Sequence, residues 1–155
     1  SGNVAAIIDN ITNRGMGFLS LHCTVACQND DIKNMMDIIY QLHEQIQPLW
    51  VRDLNQNHPI TNGIKPFYIN LDEQFGVIIK SPSTVTLFET TAIDDKRERI
   101  GGWCLERGNG RIVGLLPGHL KWAYLMPEYQ DILWRSAHWV MKRDIPEYPG
   151  EQRPV

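Results

Sequence analysis

The stretch GGWCLERGNGRIVGLLPGH, residues 101–119, decides the fold class. Residues 101–106 read as a strand, RGNG at 107–110 as a hairpin turn, and RIVGLL at 111–116 as the return strand. The short apolar run from Ile112 to Leu116 is what a buried strand needs. It stops at Pro117-Gly118, and the next residue is His119. A buried strand that ends by delivering a histidine on a Pro-Gly turn raises the question of a site at the strand's end.

A second histidine arrives the same way. Val4, Ala5, Ile7, Ile8 and Ile11 recur at helical spacing, which predicts an amphipathic helix over 3–13 that stops at Arg14-Gly15. GMGFLSLHC then rises into the apolar run Phe18–Leu21 and ends at His22-Cys23. Helix, glycine turn and a short unalternating strand make an α/β signature. In open parallel sheets, ligands sit at the C-terminal ends of strands. If both strands are central and parallel, His22 and His119 face one crevice. For one histidine alone, a hydrogen bond to a loop carbonyl is the plainer reading.

Elsewhere the pattern predicts a helix over 30–44, with Asp30 as a candidate N-cap and Ile32, Met35, Met36, Ile39 and Leu42 on one face. Met35 and Met36 read as core. His43 falls near that helix's end, solvated or paired with its dipole. Strands are expected at 46–52 and 84–90, a strand or extended loop at FYINLDEQF (67–75), and turns at 57–59 and 61–63. AIDDKRERI reads as a solvated connector. After Pro127 a last helix is expected over about 128–142, with Tyr129, Ile132, Leu133, Ala137 and Val140 facing inward. A domain over 1–143 and a Pro-rich tail over 144–155 follow.

The totals narrow the function. The chain has 155 residues, one domain on size, with 43% apolar and 21% charged residues. Net charge is −3, and no Lys/Arg cluster supplies the footprint of a nucleic-acid binder. No apolar run approaches the roughly 18 residues of a membrane helix. Three cysteines, Cys23, Cys27 and Cys104, are too few for a disulfide framework and suit a reducing compartment, so a cytoplasmic location is expected.

Several residues could carry chemistry. Cys23 follows His22 at a strand-to-helix junction, where a nucleophile would need small residues two positions either side. Leu21 and Val25 stand there instead, which argues against a Cys23–His119 hydrolase. Cys23 and Cys27, four apart, read as a buried reduced pair before a metal pair. In Asp72-Glu73, one carboxylate could serve as a general base or metal ligand; adjacent acids on a loop are more often solvated. His58-Pro59 reads first as a turn. Trp103 reads as core, while Trp122 and Tyr124, just past the PGH turn, are better placed to stack on a sugar. Phosphate-loop and dinucleotide fingerprints are absent.

In their order, GMGFLSLHC, NHPITNGI (57–64), LDEQF (71–75), GGWCLERGNGRIVGLLPGH and ILWRSAHWV (132–140) resemble the ThuA-like family, named for trehalose utilisation. The resemblance runs from about residue 4 to 143. It implies the class I glutamine amidotransferase-like superfamily and a flavodoxin-like, three-layer α/β/α sandwich with a mostly parallel sheet. It implies carbohydrate catabolism, with a sugar or keto-sugar derivative as ligand, and His22, Glu73 and His119 as site residues. Acting as acid/base groups or as ligands to one divalent ion such as zinc, these are the expected catalytic set, with His22 and His119 the metal ligands. Cys23, His58, Trp122 and Tyr124 are the expected substrate contacts. A non-catalytic binding module on the same fold is the alternative; glutamine hydrolysis is not expected. The resemblance also implies a strand and helix ahead of Val4, so a homo-oligomer or a trimmed domain is expected.

Overall fold

The computed structural model describes residues 2–150. Helix α1 (Gly2–Thr12) leads into β1 (Gly17–Leu21), followed by a short 3-10 turn over His22–Ala26. Then come α2 (Asp30–Met35), β2 (Ile38–His43), β3 (Gln47–Arg52), β4 (Phe67–Asp72) and β5 (Phe75–Ile79). The chain closes with β6 (Val85–Ala92), β7 (Glu98–Arg107), β8 (Gly110–Leu115), α3 (Lys121–Tyr124) and α4 (Pro127–Val140). Six strands form one sheet in the order β1-β8-β7-β6-β3-β4, and β2 pairs with β5 in a separate ribbon.

The expected mostly parallel sheet is not what forms. Within the large sheet β1 and β8 are parallel, while β8–β7, β7–β6, β6–β3 and β3–β4 are antiparallel. The reason is the connections. Two residues join β7 to β8 and five join β6 to β7. A parallel return needs a crossover of about a dozen residues or more. The first strand, β1, lies at the sheet's edge rather than at its centre.

Two cores flank the sheet. On one face α3, α4 and the 54–64 loop bury Ile60, Ile69, Leu87, Leu115, Tyr129 and Ile132. On the other face α1, α2 and the β2–β5 ribbon bury Ile11, Met36, Phe75, Trp103 and Ile112. The three-layer expectation survives in this form, with one outer layer part helix and part ribbon.

That ribbon corrects the predicted helix over 30–44. The helix ends at Met35, and 38–43 is a strand paired antiparallel with β5. Asp37 breaks the helix with a left-handed φ of 62°. Its carboxylate accepts bonds from Thr84 Oγ1 (2.6 Å), Ser81 Oγ (2.7 Å) and Ser81 N–H (3.1 Å). Burial pushes the Asp37 carboxyl up, but these bonds outweigh it and hold the group below its ordinary value. Met35 and Met36 are buried as expected, whereas Ile39 and Leu42 face outward on the strand.

The sheet also curls. Neighbouring strands lie about 4.8 Å apart, so four steps from β8 to β4 would span about 19 Å in a flat sheet. Instead the end of β4 meets the turn after β8, where Asp72 Oδ2 accepts the Gly118 N–H at 2.8 Å.

Trp103 pins the ribbon-side core. Its indole N–H donates to Met36 O at 3.1 Å, and its ring lies over its strand partner Gly114, where a Cβ would overlap the ring. Gly114→Ala is therefore expected to cost about 2 kcal/mol, read as a lowered urea midpoint with an unchanged slope.

Candidate functional site

The site forms where three strand ends converge. β1 and β8 run parallel with Leu21 opposite Leu115, so both point their C-terminal ends the same way. β1 ends at His22, whose backbone takes a left-handed φ of 39°. A strained residue between a strand and a helical turn is the geometry of a nucleophile elbow. Here the residue so presented is His22, not Cys23. The positions two either side are then Ser20 and Thr24, both small, which the Cys23 register concealed.

The PGH turn is clamped from several sides. Asp72, fully buried, accepts the Gly118 N–H (2.8 Å), the His119 N–H (2.8 Å) and the Glu73 N–H (2.8 Å). Burial pushes the Asp72 carboxyl above its ordinary value, against the pull of these three bonds. Tyr129 Oη donates to Pro117 O at 2.5 Å, and Gly118 holds a φ of 133° that favours glycine. These contacts fix where His119 points.

Three donor atoms meet there. His22 Nε2 lies 3.1 Å from His119 Nδ1 and 3.3 Å from Glu73 Oε2, and His119 Nδ1 lies 3.4 Å from Glu73 Oε2. His22 Nδ1 is 2.7 Å from Leu116 O. That carbonyl can only accept, so Nδ1 carries a hydrogen and Nε2 is the nitrogen turned toward the other two atoms. Phe75 backs the His22 ring at a centroid distance of 4.5 Å. Among the described residues, His22, Glu73 and His119 are the one group of three disposed to hold a metal ion.

The two adjacent acids thus differ. Asp72 points inward and holds the turn, while Glu73 turns its carboxylate to the histidines. His43, expected at a helix end, instead closes β2 and donates from Nδ1 to Glu73 Oε1 at 2.9 Å. Sequence reasoning missed it because the 38–43 strand was read as helix.

The remaining candidates separate. Cys23 is exposed and stands beside the trio, which corrects its reading as half of a buried pair with Cys27. Tyr40, not singled out from sequence, meets Phe75 edge-on, and Tyr124 Oη donates to Gly118 O at 3.4 Å. Burial raises the hydroxyl pKa of each, with Glu73 and Cys23 adding at Tyr40, and Asp72 and Cys23 adding at Tyr124. Both keep their protons at neutral pH and can bond to a ligand's hydroxyls. Trp122 packs against the α4-side core with Lys121 Nζ 5.2 Å from its ring centroid.

His58 is also elsewhere. Its Nδ1 accepts the Ile60 N–H at 3.2 Å, so Nε2 carries the hydrogen and faces Cys104 Sγ at 3.3 Å. Its ring meets Trp139 of α4 edge-on. Burial pushes the Cys104 thiol up to about 12, so this pair holds no thiolate.

A curled mixed sheet with two histidines and a carboxylate gathered at its strand ends defines an α/β domain with one polar site at the rim. The chain belongs to the ThuA family, described as trehalose utilisation, whose pattern matches residues 3–140. Solved structures support the flavodoxin-like fold. A ThuA-like protein from Bacteroides uniformis superposes with a TM-score of 0.72 at 14% identity, over 91% of this chain and 64% of that one. One from Parabacteroides merdae gives 0.75 at 14%, over 90% and 65%. A β-galactosidase from Rahnella sp. R3 gives 0.67 at 11%, over 94% of this chain and 21% of that one. The chain thus spans just under two thirds of the length of the two ThuA-like structures. Curated proteins yield no match. Among the described residues no helix is long and apolar enough to cross a membrane.

Two outcomes test this geometry. Asp72→Ala leaves the Gly118 and His119 N–H groups unpaired. It should cost about 3 kcal/mol in urea unfolding and speed amide exchange at both residues. His58 is held neutral: burial first, then Arg111, lowers its pKa below the ordinary 6.5. The unfolded chain therefore takes up that proton first, and stability falls as pH drops through 6.5. His58→Asn, which keeps an acceptor for Ile60, should flatten the fall in urea midpoint between about pH 7 and 5.

Proposed function

We propose that this ThuA-family domain acts on a sugar or keto-sugar derivative at His22, Glu73 and His119, with one divalent ion such as zinc. The observation that carries the reading is the convergence of His22 Nε2, His119 Nδ1 and Glu73 Oε2 at one point. With Nδ1–H given to Leu116 O, Nε2 is the nitrogen turned to Glu73 Oε2, 3.3 Å away. A cation held between the three atoms would be shared by all of them, and the chain brings them together from three separate strand ends.

A metal ion suits that place. Tetrahedral bonds of 2.0–2.2 Å keep ligand atoms about 3.4 Å apart. The three separations here are 3.1, 3.3 and 3.4 Å. Two histidines and one carboxylate are a known set that leaves a position open for substrate. A ring N–H donated to a backbone carbonyl is the usual support of a metal-bound histidine. His22, His119 and Glu73 would hold the ion, which when bound would polarise a carbonyl or hydroxyl oxygen as a Lewis acid.

The chain's own groups do the rest. Tyr40, edge-on to Phe75, and Tyr124, whose Oη lies 3.4 Å from Gly118 O, offer protonated hydroxyls suited to a polyhydroxylated ligand. Phe75 shuts water from the rear of the His22 ring. The family's description supports a carbohydrate, and the bonds that hold the PGH turn support a rigid, preorganised site.

The test is elemental analysis of protein purified without a metal-affinity column. About one zinc or other transition metal per chain is expected, lost in a His22→Ala, His119→Ala double variant that keeps its circular dichroism. An unmetallated wild type that also takes up none on dialysis against zinc would overturn the metal reading.

A further inference from the structure

Among the described residues, His43 is the titratable side chain from outside the trio that bonds to one of its side chains. It is unusual for its exposure: its side chain is 64% exposed, whereas its partner Glu73 is 11% exposed. Its position is set by backbone pairing. His43 sits opposite Phe75 in the β2–β5 ribbon, and the Glu44 N–H donates to Gln74 O at 2.9 Å. Gln74 is itself locked, its amide donating to Thr90 O (3.1 Å), Thr90 Oγ1 (3.0 Å) and Arg97 O (3.3 Å). Glu44 accepts from Arg97 and Arg99. The ribbon's end is therefore held firmly where β4 hands the chain over to β5.

The consequence falls on Glu73. Its two oxygens are divided: Oε1 takes the His43 Nδ1–H at 2.9 Å, and Oε2 faces His22 and His119. A carboxylate with both oxygens free can rotate to present either or both. One whose outer oxygen is held by a donor offers a single oxygen in one direction.

We infer that His43 is a positioning residue that holds Glu73 to one-oxygen ligation, so that the β2–β5 ribbon is part of the metal site. This rests on the metal reading above. The role belongs to the N–H donor of His43 and not to its bulk. The ring's packing is loose, with its centroid 6.2 Å from Phe75. Outer partners of this kind commonly change metal affinity by about 10–100-fold.

Two substitutions separate donor from bulk. His43→Phe keeps a ring without the donor; His43→Asn can place an amide N–H near the Nδ1 position. Metal-free wild type and both variants are titrated with Co²⁺, following the visible absorption bands, with circular dichroism confirming the fold. The expected result is about a tenfold weaker affinity and an altered band pattern in His43→Phe, with both largely restored in His43→Asn. Equal affinity and identical bands in wild type and His43→Phe would overturn the inference while leaving the metal reading intact. Equal losses in both variants would overturn it too, since the donor would then not be the cause. A wild type that binds no Co²⁺ overturns the metal reading and this inference with it.

Discussion

The bonds from Asp72 to the Gly118 and His119 amides hold the architecture's two ends together. β4 and β8 are four strands apart, yet one carboxylate at the end of β4 takes up the backbone of the turn after β8. That closure is what the curl of the sheet achieves. Because Glu73 is the next residue, the contact that closes the sheet also delivers the acid to the histidines. Without it, His22 and His119 would still be neighbours through the parallel β1–β8 pair, but they would lack a carboxylate.

The site is built from restraint more than from any single reactive group. His22 sits on a strained elbow and gives its ring hydrogen to Leu116 O. His119 stands on a Pro-Gly turn gripped by Asp72 and Tyr129. Each donor atom of the trio is oriented by a contact that it does not itself share. Such overdetermination is how a fold keeps left-handed backbone at a working site. Ser20 Oγ, two residues before His22, is buried with no hydrogen-bond partner among the described residues.

Much of this was legible in residues 101–119. The hairpin, the apolar return strand and the presented histidine could all be read there, and so could the pairing of His22 with His119 from two strand ends. That same hairpin already made β7 and β8 antiparallel, and a sheet with short turns on that side could not have been mostly parallel. The 30–44 segment misled for a physical reason. Ile32, Met35 and Met36 are helically spaced, but the Ile38-Ile39-Tyr40 run is β-branched and aromatic, and Asp37 breaks the helix between them. Reading it as a strand would have brought His43 and Tyr40 to the site. The curl that unites Glu73 with the histidines comes from long-range pairing, which no local pattern records. His58 looked eligible by residue type, yet its partners Cys104 and Trp139 lie on β7 and α4.

The most direct test of the central claim is an anomalous difference map, recorded at the zinc absorption edge from crystals grown with zinc. A peak is predicted within bonding distance of His22 Nε2, His119 Nδ1 and Glu73 Oε2, with Asp72 still bonded to the Gly118 and His119 amides. A map with no peak there, and the trio joined directly by hydrogen bonds, would contradict it.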